Sequence, residues 1–260
     1  MTLNADDTTE GGPAPADFGG IDPAEGIDLL REGALTVEGR LADASNATLY
    51  CRISDGSRAA VCVYKPVAGE RPLWDFPDGT LAGREVSAHA VSEALGWSVV
   101  PPTVFRDGPY GEGMVQLWVH GDPTVDLVAL SRETDHRGLR RMAVLDAVIN
   151  NSDRKIGHLL PTPGGHLYGC DHGVSFAEDY KLRTVLWQWQ GLPLTEEAVE
   201  ALTRLRSRLR DSDDPLSVAL AGYLTGPELY ALRSRVDLLV HHGIHPYPAP
   251  DWPSVPWPPV

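Results

Sequence analysis

The densest run of reactive side chains in this sequence is Asn150, Asn151, Ser152, Asp153, Arg154 and Lys155. A packed core cannot hold so many polar groups unpaired, so the run reads as a loop, the kind of segment where function concentrates. In it, Asp153 can orient an attacking hydroxyl or take its proton, and Arg154 or Lys155 can neutralise charge on a transferring phosphoryl group. Asp171 comes eighteen residues later, after the short apolar stretch Leu167–Cys170 and before His172 and Gly173. That position suits a carboxylate presented to Mg²⁺. The plainer alternative is that Asp153 caps a turn and Asp171 opens one.

Two further residues gain meaning as a pair. Lys65 ends the apolar run Val61, Cys62, Val63 and Tyr64, and Pro66 biases it toward extended backbone. Alone it would mark a strand end at the surface. Twenty residues on, Glu85 falls in the first turns of a helical pattern. A strand lysine clamped by a helix glutamate has a mechanical use, because the ion pair aims the ammonium at nucleotide phosphates.

These residues need elements to position them. Leu35–Val37, Thr48–Ile53 and Ala59–Tyr64 read as strands, separated by turn signals at Ser45-Asn46 and Asp55-Gly56. A short helix is expected over 25–33, and a longer one over Leu81–Leu95 that stops at Gly96. Val99–Phe105 and Met114–Val119 read as two more strands. The second half turns helical, with predicted helices at Arg137–Asn150, Thr195–Arg210 and Thr225–His242, the last opening on the capping box Thr225-Gly226-Pro227-Glu228. Short strands are expected around Leu159-Leu160 and Leu167–Cys170. Residues 1–24 are expected to be disordered or extended. The tail 245–260, with seven prolines and two tryptophans, is expected to be extended and packed on the body of the protein. The expected class is α+β in two lobes: an N-lobe over 25–122, with a small antiparallel sheet and one helix, and a mostly helical C-lobe over 123–244.

The order Lys65, Glu85, Asp153-Arg154-Lys155, Asp171-His172-Gly173 resembles the phosphatidylinositol 3-/4-kinase-like branch of the protein-kinase-like superfamily, and looks closest to an uncharacterised actinobacterial family. The likeness covers about residues 35–190 and is most specific at Asn151-Ser152-Asp153-Arg154. It implies that Lys65 touches the phosphates of ATP, Glu85 holds Lys65, Asp153 is the catalytic aspartate and Asp171 binds Mg²⁺ or Mn²⁺. It further implies that Asp146 organises the catalytic loop and that backbone groups of Gln116, Leu117, Trp118 and Val119 meet adenine at the hinge. The sequence also departs from the family. His158 stands five residues beyond Asp153, where the family has a metal-binding Asn, and imidazole suits Mn²⁺ or Zn²⁺ better than Mg²⁺. Lys155 replaces the histidine of Asp-Arg-His. No Gly-x-Gly-x-x-Gly lies between the first two strands, where Ser45 and Asn46 are the groups left to cap phosphates.

The bulk numbers narrow the partners. The chain has 260 residues, 42% hydrophobic and 22% charged, with a net charge of −14. Such a surface repels nucleic acid and anionic membrane, so neither is an expected partner, and stable membrane association is not expected. The arginines at 204, 206, 208 and 210 read as a solvated helix face. Three scattered cysteines suit a reducing, cytoplasmic setting. The reading is an ATP- and metal-dependent phosphotransferase acting on a protein, lipid headgroup or small soluble acceptor. Its rivals are a nucleotide-binding pseudokinase or scaffold, motivated by His158, and a kinase-fold nucleotidyltransferase.

Overall fold

The computed structural model describes residues 12–41 and 46–260. Five strands, β1 (Ala34–Arg40), β2 (Leu49–Ser54), β3 (Ala59–Pro66), β4 (Thr103–Gly108) and β5 (Gly111–Leu117), form one antiparallel sheet in the order β1-β2-β3-β5-β4. Period-two alternation gives each strand two faces. On β2 and β3 the residues Leu49, Cys51, Ile53, Ala60, Cys62 and Tyr64 turn to one side and are buried with Leu29 and Leu30 of helix α1 (Pro23–Glu32). Lys65 lies on the opposite face by the same alternation.

The segment before α1 is ordered over 12–22, which corrects the expectation of a disordered or extended stretch to residue 24. Pro15–Phe18 forms a 3-10 turn with Asp17 and Phe18 buried, and the Asp17 carbonyl accepts the His120 N–H at 2.8 Å. The driving force is burial of one aromatic ring, Phe18, edge-on to Tyr168 with ring centroids 5.3 Å apart.

Helix α2 (Leu81–Leu95) connects the lobes. It is buried on more than one side, with Ala88, Val91 and Leu95 inside the same apolar cluster as the C-lobe helices. Each fully buried valine or leucine of this kind contributes roughly 1.5–3 kcal/mol. Its ends are fixed differently. At the C-terminus Gly96 takes the left-handed conformation with φ of 76°, as expected of a glycine stop. At the N-terminus no local side chain caps it; instead the Glu70 carboxylate accepts the Leu81 and Ala82 N–H groups at 3.1 and 2.8 Å.

The rest of the chain is mainly helical: α3 (Leu127–Leu130), α4 (Arg137–Ile149), α5 (Glu196–Arg210), α6 (Pro215–Ala221) and α7 (Gly226–His242), with a two-stranded ladder of β6 (Leu159–Pro161) and β7 (Leu167–Gly169). On α5, Arg208 and Arg210 pair with Asp214 and Asp237. The Thr225 capping box forms as read, with Glu228 accepting the Thr225 N–H at 2.8 Å. The 245–260 tail has no helix or strand and runs across the C-lobe. There Ser254 accepts from the Thr184 N–H and the Trp187 indole, and Pro259 accepts from the Ile156 N–H at 2.8 Å. Among the described residues, no helix is long and apolar enough to cross a membrane.

Candidate active site

Lys65 comes off the end of β3 and enters a cleft of about 200 Å³ between the sheet and the C-lobe. Its ammonium donates to Glu85 Oε1 of α2 at 2.8 Å and to Asp171 Oδ1. Glu85 is almost fully buried, and its second oxygen accepts the His172 N–H at 2.9 Å. One carboxylate thus ties a strand, a helix and the Asp171 loop together. Burial opposes charge on Lys65, but Asp171 and Glu85 outweigh it and hold the ammonium above its ordinary pKa. By the same contact Lys65 holds Asp171 well below the usual carboxylate range, so it is ionised at neutral pH.

The loop that carries Asp153 rests on a fully buried ion pair. Arg154 and Asp146 are both 0% exposed. The Arg154 guanidinium donates to Asp146 through Nε at 3.1–3.2 Å and Nη2 at 3.0 Å, and to the Cys170 carbonyl through Nη1 at 3.0 Å. Nη2 also meets His172 Nε2 at 2.6 Å. Arginine has no acceptor, so His172 accepts there and carries its proton on Nδ1, 3.9 Å from Glu85 Oε2. Gly169 permits this approach, since a Cβ at that position would sit 2.7 Å from Met142 Cε and 3.1 Å from Arg154 Nη1. The expectation that Arg154 neutralises charge in the cleft is therefore corrected. It faces inward, and what it organises is the backbone that presents Asp153.

Asp153 and Lys155 do face the cleft, joined by an ion pair of 3.2 Å. Burial raises the Asp153 pKa, although Lys155 pulls against it. The Asp153 N–H donates to Asn151 Oδ1 at 3.0 Å, and Asn151 in turn donates to Asp146 at 2.9 Å. Asn150 ends α4 in the left-handed conformation with φ of 55° and turns the chain into this loop.

His158 also lines the cleft, with Nε2 3.6 Å from Asp171 Oδ2. Burial pushes it down to about 4, so it is neutral at pH 7. Its Nδ1 accepts the Lys155 N–H at 3.4 Å, which puts the ring proton on Nε2, facing Asp171. In that tautomer the Nε2 proton faces Asp171 from 3.6 Å, beyond hydrogen-bond distance, and a metal at Nε2 would require the other tautomer. Among the described residues no group of three His, Cys, Asp or Glu is arranged to hold a metal ion. Asp171 itself fits a hard divalent cation: it is ionised, half-exposed and presents oxygen, and Mg²⁺ commonly takes one or two carboxylates and fills its shell with phosphates and water.

The phosphate-side and hinge expectations divide. Asn46 lines the cleft and accepts the Arg71 N–H at 2.9 Å, while Ser45 lies outside the described residues. At the hinge the Leu117 N–H is bonded to the Pro102 carbonyl and the Trp118 N–H to the Val61 carbonyl, each at 3.0 Å. Those two N–H groups are committed to the protein, so any backbone contact of Leu117 or Trp118 with a base would use their carbonyls. Leu117 turns its side chain to the α1 face, and Gln116 donates to Thr103 at 2.8 Å. Val119 is buried against the same α1 cluster, and the Trp118 ring lies edge-on to Tyr50 at 5.4 Å.

Sequence reading missed a second buried connection. Arg84, one residue before Glu85, pairs with Glu228 of α7 at 2.5 Å and donates to the Ser175 carbonyl at 2.7 Å. No local pattern signals it, because the partners are 144 residues apart.

No protein-family model matches the chain. Its backbone superposes on the Golgi casein kinase with Mn/ADP bound at a TM-score of 0.56 and 13% identity, covering 88% of this chain and 80% of that one. It superposes on hydra Fam20 with sugar at 0.55 and 15%, covering 85% and 87%. At such identities the likeness establishes the architecture, the two-lobe protein-kinase-like fold. In sequence the chain is 46% identical over 264 residues to protein Rv2133c of Mycobacterium tuberculosis, covering 88% of this chain and 94% of that one. Identity of that order along nearly the whole of both chains makes this protein a member of the Rv2133c family.

Proposed function

We propose that this protein is an ATP-dependent, divalent-metal-dependent phosphotransferase. The observation that carries the reading is the single ammonium of Lys65 held between Glu85 and Asp171, with Asp153 and Lys155 lining the same cleft. In this reading Lys65 meets the nucleotide phosphates, Glu85 fixes Lys65, and Asp171 holds Mg²⁺ or Mn²⁺, whose charge would offset that developing on the phosphates. Asp153 orients the acceptor hydroxyl and takes its proton, a role helped by the burial that raises its pKa above the ordinary carboxylate value. Lys155 sits beside it as the cation nearest the transferred group. The nucleotide lies between the lobes, the N-lobe 25–122 above and the C-lobe 123–244 below. The order of motifs keeps the phosphatidylinositol 3-/4-kinase-like branch as the proposed placement for the transfer machinery. A soluble acceptor fits the net charge of −14 better than an anionic membrane does, and three free cysteines fit a cytoplasmic setting.

The test uses γ-labelled and α-labelled ATP with Mg²⁺ and with Mn²⁺, on the wild type and on Asp153→Ala and Asp171→Ala. Transfer of the γ label alone, lost in both variants, is the expected result. Transfer of the α label would replace the reading with nucleotidyl transfer. Thermal stabilisation by ATP without any turnover would leave a pseudokinase.

A further inference from the structure

The cleft beside Lys65 measures about 200 Å³. Small-molecule sites run to roughly 300–1,000 Å³, so a nucleoside triphosphate requires a wider one. The segment that covers it is the loop 71–80, which leads from Glu70 to Leu81, two residues that line the cleft. The loop has no helix or strand, and one bridge joins Leu73 to Phe76. A cavity of about 150 Å³ lies within it, between Arg71, Leu73, Phe76, Gly79 and Leu81, so the loop is not packed as a core is. Phe76 is buried in a small cluster with Leu81 and Ala177, apart from the two main cores.

The tip of this loop is held by one cation. The Lys181 ammonium, on the segment that follows Asp171, pairs with Asp75 at 3.2 Å. It also lies 5.2 Å from the centroid of the Trp74 ring, 5.9 Å from that of Phe76 and 5.4 Å from that of Trp252. Trp74 and Trp252 are themselves in contact, with centroids 6.2 Å apart. Three stretches distant in the chain, the loop, the Lys181 segment and the tail, thus close on each other beside the cleft. The Lys181 side is firmly fixed, because its N–H donates to Asn150 Oδ1 at 3.0 Å and Arg183 donates to the Ser152 carbonyl at 2.6 Å. The loop side is lightly held, with Trp74 84% exposed. Ion-pair and cation–π contacts at such open positions are individually weak, so the tip can be released without unfolding either lobe.

We propose that the loop 71–80 is a lid on the nucleotide cleft, and that Lys181, clasped by Trp74, Asp75 and Trp252, holds it shut until nucleotide enters. The proposal rests on the phosphotransferase reading of the cleft. Nucleotide enters the open form alone, so the association rate follows the fraction of molecules in which the clasp is released.

Two measurements on the full chain test this: stopped-flow binding of a fluorescent ATP analogue with Mg²⁺, and hydrogen exchange of residues 71–80 without nucleotide. Lys181→Met should raise the association rate constant by about fivefold or more and speed exchange in the loop. Lys181→Arg keeps a cation against the rings and should stay within about twofold of the wild type. Trp74→Ala changes an exposed position, should act in the same direction as Lys181→Met, and decides the matter if Lys181→Met does not fold. Association rates unchanged in both Lys181→Met and Trp74→Ala would overturn the lid and leave the phosphotransferase reading in place. If the wild type binds no analogue, that reading falls, and the clasp is judged by exchange alone: equal exchange in the wild type and Lys181→Met overturns it as well.

Discussion

Lys65 and Asp171 are in direct contact, so any cation recruited by Asp171 must share that carboxylate with an ammonium. His158 bears on how well this works, because its Nε2 proton faces the second oxygen of the same group. Replacing His158 with Asn removes that ring N–H and supplies a carboxamide oxygen, a harder ligand. The expected outcome is a rise in Mg²⁺-supported label transfer relative to Mn²⁺-supported transfer, read from initial rates at matched metal concentrations; an unchanged ratio would show that His158 takes no part in metal choice. At this scale the sequence was legible where a residue's role follows from its own type and its distance along the chain. Lys65, Glu85, Asp153 and Asp171, singled out by type, spacing and motif order, line one cleft. Arg154 did not follow, because the neighbouring positions 153 and 155 face the cleft while 154 points into the body, and a loop sequence carries no periodicity that reveals such a turn.

At the scale of elements, α2 is the connection that matters most. It carries Glu85 toward the cleft and Arg84 toward α7, where Arg84 and Glu228 are 1% and 7% exposed. Removing one partner of a buried pair leaves an uncompensated charge and typically costs about 3–5 kcal/mol. Glu228→Ala also removes the carboxylate of the α7 capping box, so its loss in chemical denaturation should lie at or above that range. A loss under about 1 kcal/mol would mean that the pair is solvated or replaceable. The helices themselves were readable, α2 to its terminal residues, since 3.6-residue periodicity and a glycine stop are local signals. Glu70, which caps α2 from eleven residues upstream, was not readable, because nothing local distinguishes a capping carboxylate from a solvated one. The short helix Pro215–Ala221 escaped for a related reason: seven residues are too few for a period to stand out.

Over the whole molecule, the tail closes on the loop that carries Asp153 and Lys155. A chain ending at Pro250 loses the bonds made by Ser254 and Pro259 to Thr184, Trp187 and Ile156, three hydrogen bonds worth roughly 0.5–1.5 kcal/mol each. Calorimetry should show a lower melting temperature for that chain, and labelled ATP a lower transfer rate, because Ile156 sits between Lys155 and His158. Equal rates in both chains would make the tail a purely structural cover. Buried His245 weakens the fold as the pH falls. Burial, with Arg140 adding to it, lowers His245 to about 4, against about 6.5 when unfolded. Its contribution is complete above pH 6.5 and is lost as the pH falls toward 4, because the unfolded chain takes up the proton first. The loss reaches ~3 kcal/mol for that shift, and His245→Gln should flatten the fall in stability between pH 6.5 and 4 in urea titrations.

The sequence by itself determined the elements and the two-lobe class, which rest on local periodicity, and singled out Lys65, Glu85, Asp153 and Asp171 by residue type and by the resemblance their order carries. Tertiary structure alone decided which of those groups face the cleft, which hinge donors are already used, and how Arg84, Arg154 and Lys181 are employed. Those outcomes depend on partners up to 144 residues away, and whether a charge is paired or shielded is a property of the packed surroundings and not of the residue.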